Sequence, residues 1–190
     1  DIVVRDGRAV AVATADGEID ADHVVCAIDP RQLPALAGHV RRTLPAIPPV
    51  VCHLGLTGDL PELPVEAVYH GDPTLVVRTG GHAPEGGRAL TILGRGMLAE
   101  DITVALARKG LDLRPFIEVR VDISPRMQVE KWQTSPMGVL WQGRNTLRER
   151  LSTRTPVPGV YAAGAHAAPG AGVPWVGLSA ALVAQEVGGI

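Results

Sequence analysis

The sequence predicts a mixed α/β (α+β) protein, and three observations carry the prediction. Val24-Val25-Cys26-Ala27-Ile28 is a continuous apolar run placed directly before Asp29-Pro30, the mark of a parallel-type strand buried on both faces. Several short apolar runs parted by turn residues, together with the strictly alternating FIEVRVDI (116–123), predict an antiparallel sheet. The stretch YAAGAHAAPGAGVPWVGLSAALVA, Tyr161 to Ala184, carries no Asp, Glu, Lys or Arg over 24 residues and parses as strand, loop and helix. At 190 residues the chain makes one ordinary domain or two small ones.

The meander comes first. Val10 to Thr14 runs into Ala15-Asp16-Gly17, where the Asp-Gly pair supplies the positive φ of a tight hairpin turn, and Glu18 to Ala21 returns. After the apolar run, Asp29 and Pro30 read as N-cap and first residue of a short helix stopped at or near Pro34. TLPAIPP (43–49) is too rich in proline for helix or central strand and reads as a crossing between domains. VVCHLGL, VEAVYH, TLVVRT and ALTILG then supply about four antiparallel strands. Ala99 to Lys109 is the clearest helix, with acids at its start, Arg108 and Lys109 in its last turn and Gly110 as its stop. In FIEVRVDI, Ile117, Val119, Val121 and Ile123 share one face, which predicts a half-buried strand. From 127 to 150 the pattern is weak; Trp132 and Trp141 either anchor this connector to a core or line a pocket.

Composition excludes several function classes. With 18 basic and 20 acidic residues, a net charge of −2 gives no broad basic field, so no nucleic-acid partner is predicted. RNTLRERLSTR (144–154) has a Glu in its middle and reads as a solvated helix face. Cys26 and Cys52 lie in no CxxC setting and the six His form no HxxxH or HExxH pair, so neither a disulfide framework nor a metal site is predicted, and a reduced, cytoplasmic setting fits. The start DIVVRDGRAVAV has no initiator Met, basic n-region or apolar h-region, and reads as a piece of a longer polypeptide.

The uncharged stretch has the length of a membrane span, about twenty residues, but not the continuity. Gly164, Pro169, Gly170, Gly172 and Pro174 fall within eleven positions and break any spanning helix. The parse that remains is a strand at Val160 to Ala163, a loop from Gly164 to Val173, Pro174 at the first helical position and a helix to Val187. Gly177, Ala180 or Ala181, and Ala184 recur at helical spacing and give a side without bulk, suited to close packing. The loop is either a ligand cradle, since glycine backbone admits close approach before a helix N-terminus, or merely a tight turn beneath a helix.

GVYAAGAHAAPGAGVPWVGLSAALVA resembles the C-terminal flavin motif of phytoene desaturase-like, FAD-dependent oxidoreductases, relatives of the amine oxidases. The matching residues are Gly164-Ala165, then Pro169-Gly170-Ala171-Gly172-Val173-Pro174, with Ser179-Ala180 in the helix. The early DG hairpins, ADHVVCAIDP, APEGG (83–87) and ISPRMQVEKWQTSPMG (123–138) fall in the same order, so the similarity covers most of the chain.

The resemblance implies the C-terminal portion of a Rossmann-like FAD-binding domain plus a substrate domain. Residues 1–30 and 155–190 belong to the first, 31–127 to the second, and 128–154 to a connector. It implies that Ala27 ends a strand of the FAD domain and that Gly164 and Ala165 lie beside the ribityl-pyrophosphate of FAD. Gly170 and Gly172 shape the loop, and the backbone of Val173, Pro174, Trp175 and Val176 faces the pyrimidine end of the flavin. There a helix N-terminus stabilises the charge that grows on reduction. Ala165 stands where amine oxidases often carry an acid, so no carboxylate contact is implied. Trp175 replaces a frequent Gly and narrows the substrate cavity, and His166 replaces another, its ring either approaching the cofactor or, the reading favoured, pointing to solvent.

No GxGxxG occurs in the sequence, so the half-site that grips ADP is expected from a missing N-terminal half of the same protein or from a partner chain. The expected activity is hydride transfer from an apolar, carotenoid- or isoprenoid-like substrate to flavin, in a cytoplasmic or membrane-peripheral protein, with the isolated chain inactive. No acid, base or nucleophile is assigned, and Asp29 and Arg78 read as surface residues. The alternative is a noncatalytic binding domain that keeps the fold.

Overall fold

The computed structural model describes residues 1–189. In chain order its elements are β1 (Ile2–Arg5), β2 (Arg8–Thr14), β3 (Gly17–Asp20), β4 (Val24–Cys26), α1 (Pro34–Ala37), β5 (Val50–Leu56), β6 (Glu66–Tyr69), β7 (Thr74–Thr79), β8 (Arg88–Arg95), α2 (Ile102–Arg108), β9 (Ile117–Ile123), α3 (Pro125–Trp132), α4 (Thr146–Glu149), β10 (Val160–Ala162) and α5 (Val173–Gly188). They divide between two compact units, Asp1–Pro48 with Val129 onward, and Pro49–Gln128. The fold is the expected mixture of helices with parallel and antiparallel strands.

In the first unit β1, β2 and β3 form an antiparallel meander. Its two hairpins differ from expectation in one respect. The turn with positive φ at both central residues is Asp6-Gly7 (50° and 75°), whereas at the second hairpin Gly17 alone is positive, just past Ala15 and Asp16.

β4 pairs in parallel with β10, Val24 opposite Val160 and Cys26 opposite Ala162. The expectation that the run 24–28 is buried on both faces is corrected. Val25 is 48% and Ile28 51% exposed, because β10 is the one strand that flanks β4 among the described residues. The strand ends at Cys26, so Ala27 is the first residue beyond it.

Ile2, Ala9, Cys26, Leu36, Val40, Leu151, Val160, Ala162 and Ala167 form the core of this unit, with Leu33 and Ala35 packed against it. Residues 31–48 therefore belong with this unit and not with the antiparallel sheet, since Leu33, Leu36 and Val40 bury their side chains here. Asp29 caps a 3₁₀ turn, Pro30–Gln32, as foreseen, accepting the Arg31 N–H at 3.0 Å. Pro34 starts α1 instead of stopping a helix, because proline at a first helical position gives up an N–H that has no partner there.

The second unit is a five-stranded antiparallel sheet in the order β6-β7-β8-β5-β9. One face carries the core: Cys52, Leu54, Leu56, Leu75, Val77, Leu90 and Ile92 pack against Ile102, Ala105 and Leu106 of α2. α2 starts at the Asp101 N-cap, whose carboxylate accepts the Thr103 N–H at 2.8 Å, and stops at Gly110, φ 99°. β9 is not the expected half-buried strand. Its apolar positions Val119 and Val121 are 59% and 50% exposed, because pairing in register with Gly55 and His53 puts them on the face away from α2.

Where no regular structure was foreseen, Pro125 opens α3, with Ser124 Oγ accepting the Met127 N–H at 3.1 Å. The solvated helix expected over 144–154 is only the single turn α4, and it buries Thr146. Neither tryptophan of the connector lies in a core: Trp132 is 61% and Trp141 58% exposed. Trp132 lines a cleft instead.

Candidate functional site

The uncharged stretch folds as strand, loop and helix. β10 ends at Ala162, and the Ala163 N–H still follows the ladder to the Cys26 carbonyl at 3.0 Å. Gly164 then turns the chain with φ 89°. A Cβ there would stand 3.3 Å from the Ala27 carbonyl oxygen, so the loop root and the end of β4 touch through backbone. The Gly164 N–H donates to Ser179 Oγ at 2.9 Å, and that hydroxyl donates to the Val176 carbonyl at 2.7 Å. Ser179 is wholly buried, and it ties the loop root to the second turn of α5.

Further along, the Ala168 N–H reaches the Leu151 carbonyl at 2.8 Å. The Arg150 guanidinium spans Pro169 O (2.9 Å) and Val139 O (3.1 Å), filling the space a Cβ on Gly170 would need. Burial pushes the Arg150 guanidinium below its ordinary value, and its Nε is buried without a partner. Gly172 (φ 115°, ψ 141°) is the N-cap of α5 and Pro174 lies in the first turn. The first helical bond runs from the Val176 N–H to the Gly172 carbonyl at 2.9 Å. The N–H groups of Val173 and Trp175 therefore have no acceptor within the helix, and both residues are exposed, at 86% and 53%. Positive dipole end, free backbone donors and the absence of any acid from 161 to 184 suit an electron-rich or anionic group.

The site residues named from sequence fall into two sets. Ala27 and Ala165 line one cleft of about 380 Å³ together with Ile28, Trp132, Thr134 and His166, and Gly164 touches Ala27 beside it. Gly170, Gly172, Val173, Pro174, Trp175 and Val176 form the far end of the loop and the first turn of α5, outside that cleft. The Gly164–Ser179–Val176 bonds connect the sets.

Sequence reasoning missed the polar cluster behind the cleft. His166 is 5% and Asp29 6% exposed, which corrects both expectations of a surface place. Asp29 takes Arg31 Nε at 2.8 Å, Arg31 Nη2 at 2.9 Å and Thr134 Oγ1 at 2.8 Å. Burial pushes its carboxyl up, but these hydrogen bonds outweigh that and hold it below the usual carboxylate range. Burial lowers the His166 imidazole, against the pull of the nearby Asp29 charge. The signal was available: a lone His inside an otherwise uncharged loop, and an Asp whose cap role already turned it toward backbone. Arg78 is exposed as expected and pairs with Glu66.

The sequence pattern of flavin-containing amine oxidoreductases matches residues 2–188. The chain belongs to this family. Among solved structures, the chain is similar to an oxidoreductase from Methanosarcina mazei, at 15% identity and a TM-score of 0.53, over 97% of this chain and 47% of the other. The family member thus spans less than half the length of that oxidoreductase, and at this identity the likeness concerns the fold. No curated protein matches. Among the described residues no helix is long and apolar enough to cross a membrane.

Proposed function

We propose that the chain supplies one side of an FAD site and a wall of the substrate cavity in an oxidoreductase that takes hydride from an apolar, carotenoid- or isoprenoid-like substrate. The observation that carries this reading is the root of the glycine loop: Gly164 sits against Ala27 with its N–H held by Ser179. The same loop ends in a helix turn whose backbone donors are exposed. That arrangement fits the ribityl-pyrophosphate at Gly164 and Ala165, and the flavin pyrimidine edge at Val173 to Val176.

When bound, FAD supplies the hydride acceptor. The chain's own residues orient it through backbone N–H groups, the positive end of α5 favours the charge that develops on reduction, and apolar surface excludes water.

The open face of the second unit's sheet supports the apolar substrate. Val68, Val76, Leu93, Val119 and Val121 project from it, with Gly55 and Ala89 between. A polar row crosses the same face in register, Glu66, Arg78, Thr91 and His53, where His53 Nδ1 lies 2.8 Å from Thr91 Oγ1. In this reading the unit binds substrate, and drawing such a substrate from lipid implies peripheral membrane contact from a cytoplasmic position.

A further polypeptide completes the site: the N-terminal region of the same protein or a partner chain. The sequence contains no GxGxxG. Its nearest approach, Gly94-Arg95-Gly96-Met97-Leu98-Ala99, is occupied by the chain's own Asp72, whose carboxylate accepts the Met97 N–H at 2.6 Å. The bare side of α5 is not packed as its small residues suggested. Val176, Ser179 and Val183 face the unit, while Gly177, Ala180, Ala181 and Ala184 are exposed with Leu178 and Leu182. A helix this apolar all round calls for a cover, as does a parallel sheet of two strands.

FAD titration of the purified 190-residue chain tests the reading, with weak or no binding expected; submicromolar binding would overturn the claim that another polypeptide is needed. For the chain joined to that polypeptide, anaerobic bleaching of bound flavin by an isoprenoid polyene is the expected result. A second reading, a noncatalytic interaction domain, draws on the lack of GxGxxG; a colourless, FAD-indifferent complete protein would select it.

A further inference from the structure

His166 is a buried titratable group whose two ring nitrogens both have partners, and no step of the proposed chemistry uses it. Its two ring nitrogens face partners that leave one protonation state. Nδ1 lies 3.2 Å from Arg31 Nη2, and a guanidinium only donates, so Nδ1 keeps its lone pair. Nε2 lies 3.2 Å from the Ser135 carbonyl and 3.0 Å from Thr134 Oγ1. A carbonyl only accepts, so Nε2 bears the proton. Thr134 Oγ1 donates its hydrogen bond to Asp29 Oδ2 at 2.8 Å, and Asp29 in turn accepts from Nε and Nη2 of Arg31. The ring closes: each member is satisfied when His166 is neutral with its proton on Nε2.

This ring joins three segments. Asp29 and Arg31 stand just past β4, Thr134 and Ser135 in the connector after α3, and His166 in the glycine loop next to Ala165. Thr134, Ser135 and His166 border the same cleft with Asp29 and Arg31 behind them, and Gln133 borders it too, its φ of 55° putting a non-glycine residue in the left-handed region. That backbone is held by Gln32, which donates to the Gln133 carbonyl. A strained conformation fixed by its surroundings is a device for holding a site in one shape. The charges facing the imidazole are Asp29, with Oδ1 3.9 Å from Nδ1, Arg31 beside it, and Arg150 from the segment before β10. A second proton would enter at Nδ1, directly against the Arg31 fork.

We propose that neutral His166 is a positioning residue that locks the glycine loop onto the Asp29 turn and the connector, and that its protonation opens the lock and releases the cofactor. The lock rests on the reading that this loop meets FAD, but two of its tests need no cofactor. Nitrogen-15 spectra of the imidazole are expected to show a bare Nδ1 and a protonated Nε2 at neutral pH. The protection of the amides from Gly164 to Gly172 against hydrogen exchange, relative to the intrinsic rate at each pH, is expected to fall as pH drops below the ordinary imidazole value, about 6.5.

In the flavin-loaded protein, FAD affinity is expected to fall about tenfold or more across the same step, the worth of a hydrogen bond to a charged group. His166→Asn offers an amide oxygen to Arg31 near the place of Nδ1; it is expected to retain FAD and to lose the pH step. His166→Phe is expected to bind FAD at least about tenfold more weakly at every pH. Arg31→Met removes the donor that forbids the second proton, and is expected to raise the imidazole titration. A proton on Nδ1 at neutral pH, or a pH step unchanged in His166→Asn, overturns the lock. The expected spectra and the loss of exchange protection in acid, in a protein that takes up no FAD, support the lock and overturn the cofactor reading.

Discussion

Ser179 Oγ accepts the Gly164 N–H at 2.9 Å from a fully buried position, so one hydroxyl on α5 satisfies the backbone donor at the root of the glycine loop. Ser179→Ala removes that acceptor and leaves the donor without a partner, at a cost of about 1–3 kcal/mol. Urea unfolding is expected to show a lower midpoint with an unchanged slope. A midpoint equal to the parent's would mean that the bond does not hold the loop.

Gly164 itself admits no side chain cheaply. Its φ of 89° and the Ala27 carbonyl 3.3 Å from a would-be Cβ set Gly164→Ala at about 1–3 kcal/mol of strain. The proposed function adds that FAD affinity of the complete protein drops with it. Gly177→Ala serves as control: it lies in mid-helix with nothing within 4 Å of the added methyl and is expected to stabilise the chain by about 0.5–1 kcal/mol.

What was legible in the sequence was local. Proline and glycine placement located the loop from 164 and the start of α5, and the cap chemistry of Asp29 and Asp101 located the turns they open. Burial was not legible where apolar residues lack a cover within the chain. Val25, Ile28, Val119 and Val121 carry the periodicity of core strands and stand exposed. The His166 cluster was legible only as separate members, a lone His in an uncharged loop and a capping Asp: its hydrogen bonds join residues 135 and 32 positions apart, and no local pattern encodes such a meeting.

Asp101 makes stability depend on acid. Burial raises its carboxyl, but hydrogen bonds from Arg120 at 2.6 Å and from Thr103 hold it well below the usual range. A depressed folded value means that the unfolded chain takes up protons first. The contribution is thus complete above the ordinary carboxylate value, near 3.9, and fades as pH falls toward the folded one. Asp101→Asn keeps a cap oxygen and loses the charge, so its acid limb is expected to be flatter than the parent's, while Asp101→Ala also loses the cap, about 1 kcal/mol at neutral pH. Identical acid limbs for the parent and Asp101→Asn would remove Asp101 from the account.

The thiols report on the two cores separately. Cys52 is fully buried, and burial, helped by the Asp122 carboxylate, pushes it up to about 12. Cys26, in the other unit, is also raised by burial. The thiolate is the reactive form, so neither is expected to react with iodoacetamide in the native chain at mildly alkaline pH, and both react in denaturant. Mass mapping of the first site labelled during slow unfolding then tells which unit opens first. Rapid native labelling of Cys52 would contradict its place beneath α2.

The open sheet face separates substrate binding from folding. Val119 and Val121 are already half or more exposed, so exchanging both for Thr, close in shape and equally suited to a strand, is expected to change stability by less than about 0.5 kcal/mol. If this face receives an apolar substrate, each new hydroxyl is buried on binding without an acceptor, which costs about 1–3 kcal/mol. Together they are expected to raise the Kd for a polyene about tenfold or more, while FAD affinity, which the proposed function assigns to the other unit, stays put. An unchanged polyene Kd with parental stability would show that substrate does not lie on this face, and would leave the Ala27–Gly164 side of the proposal standing.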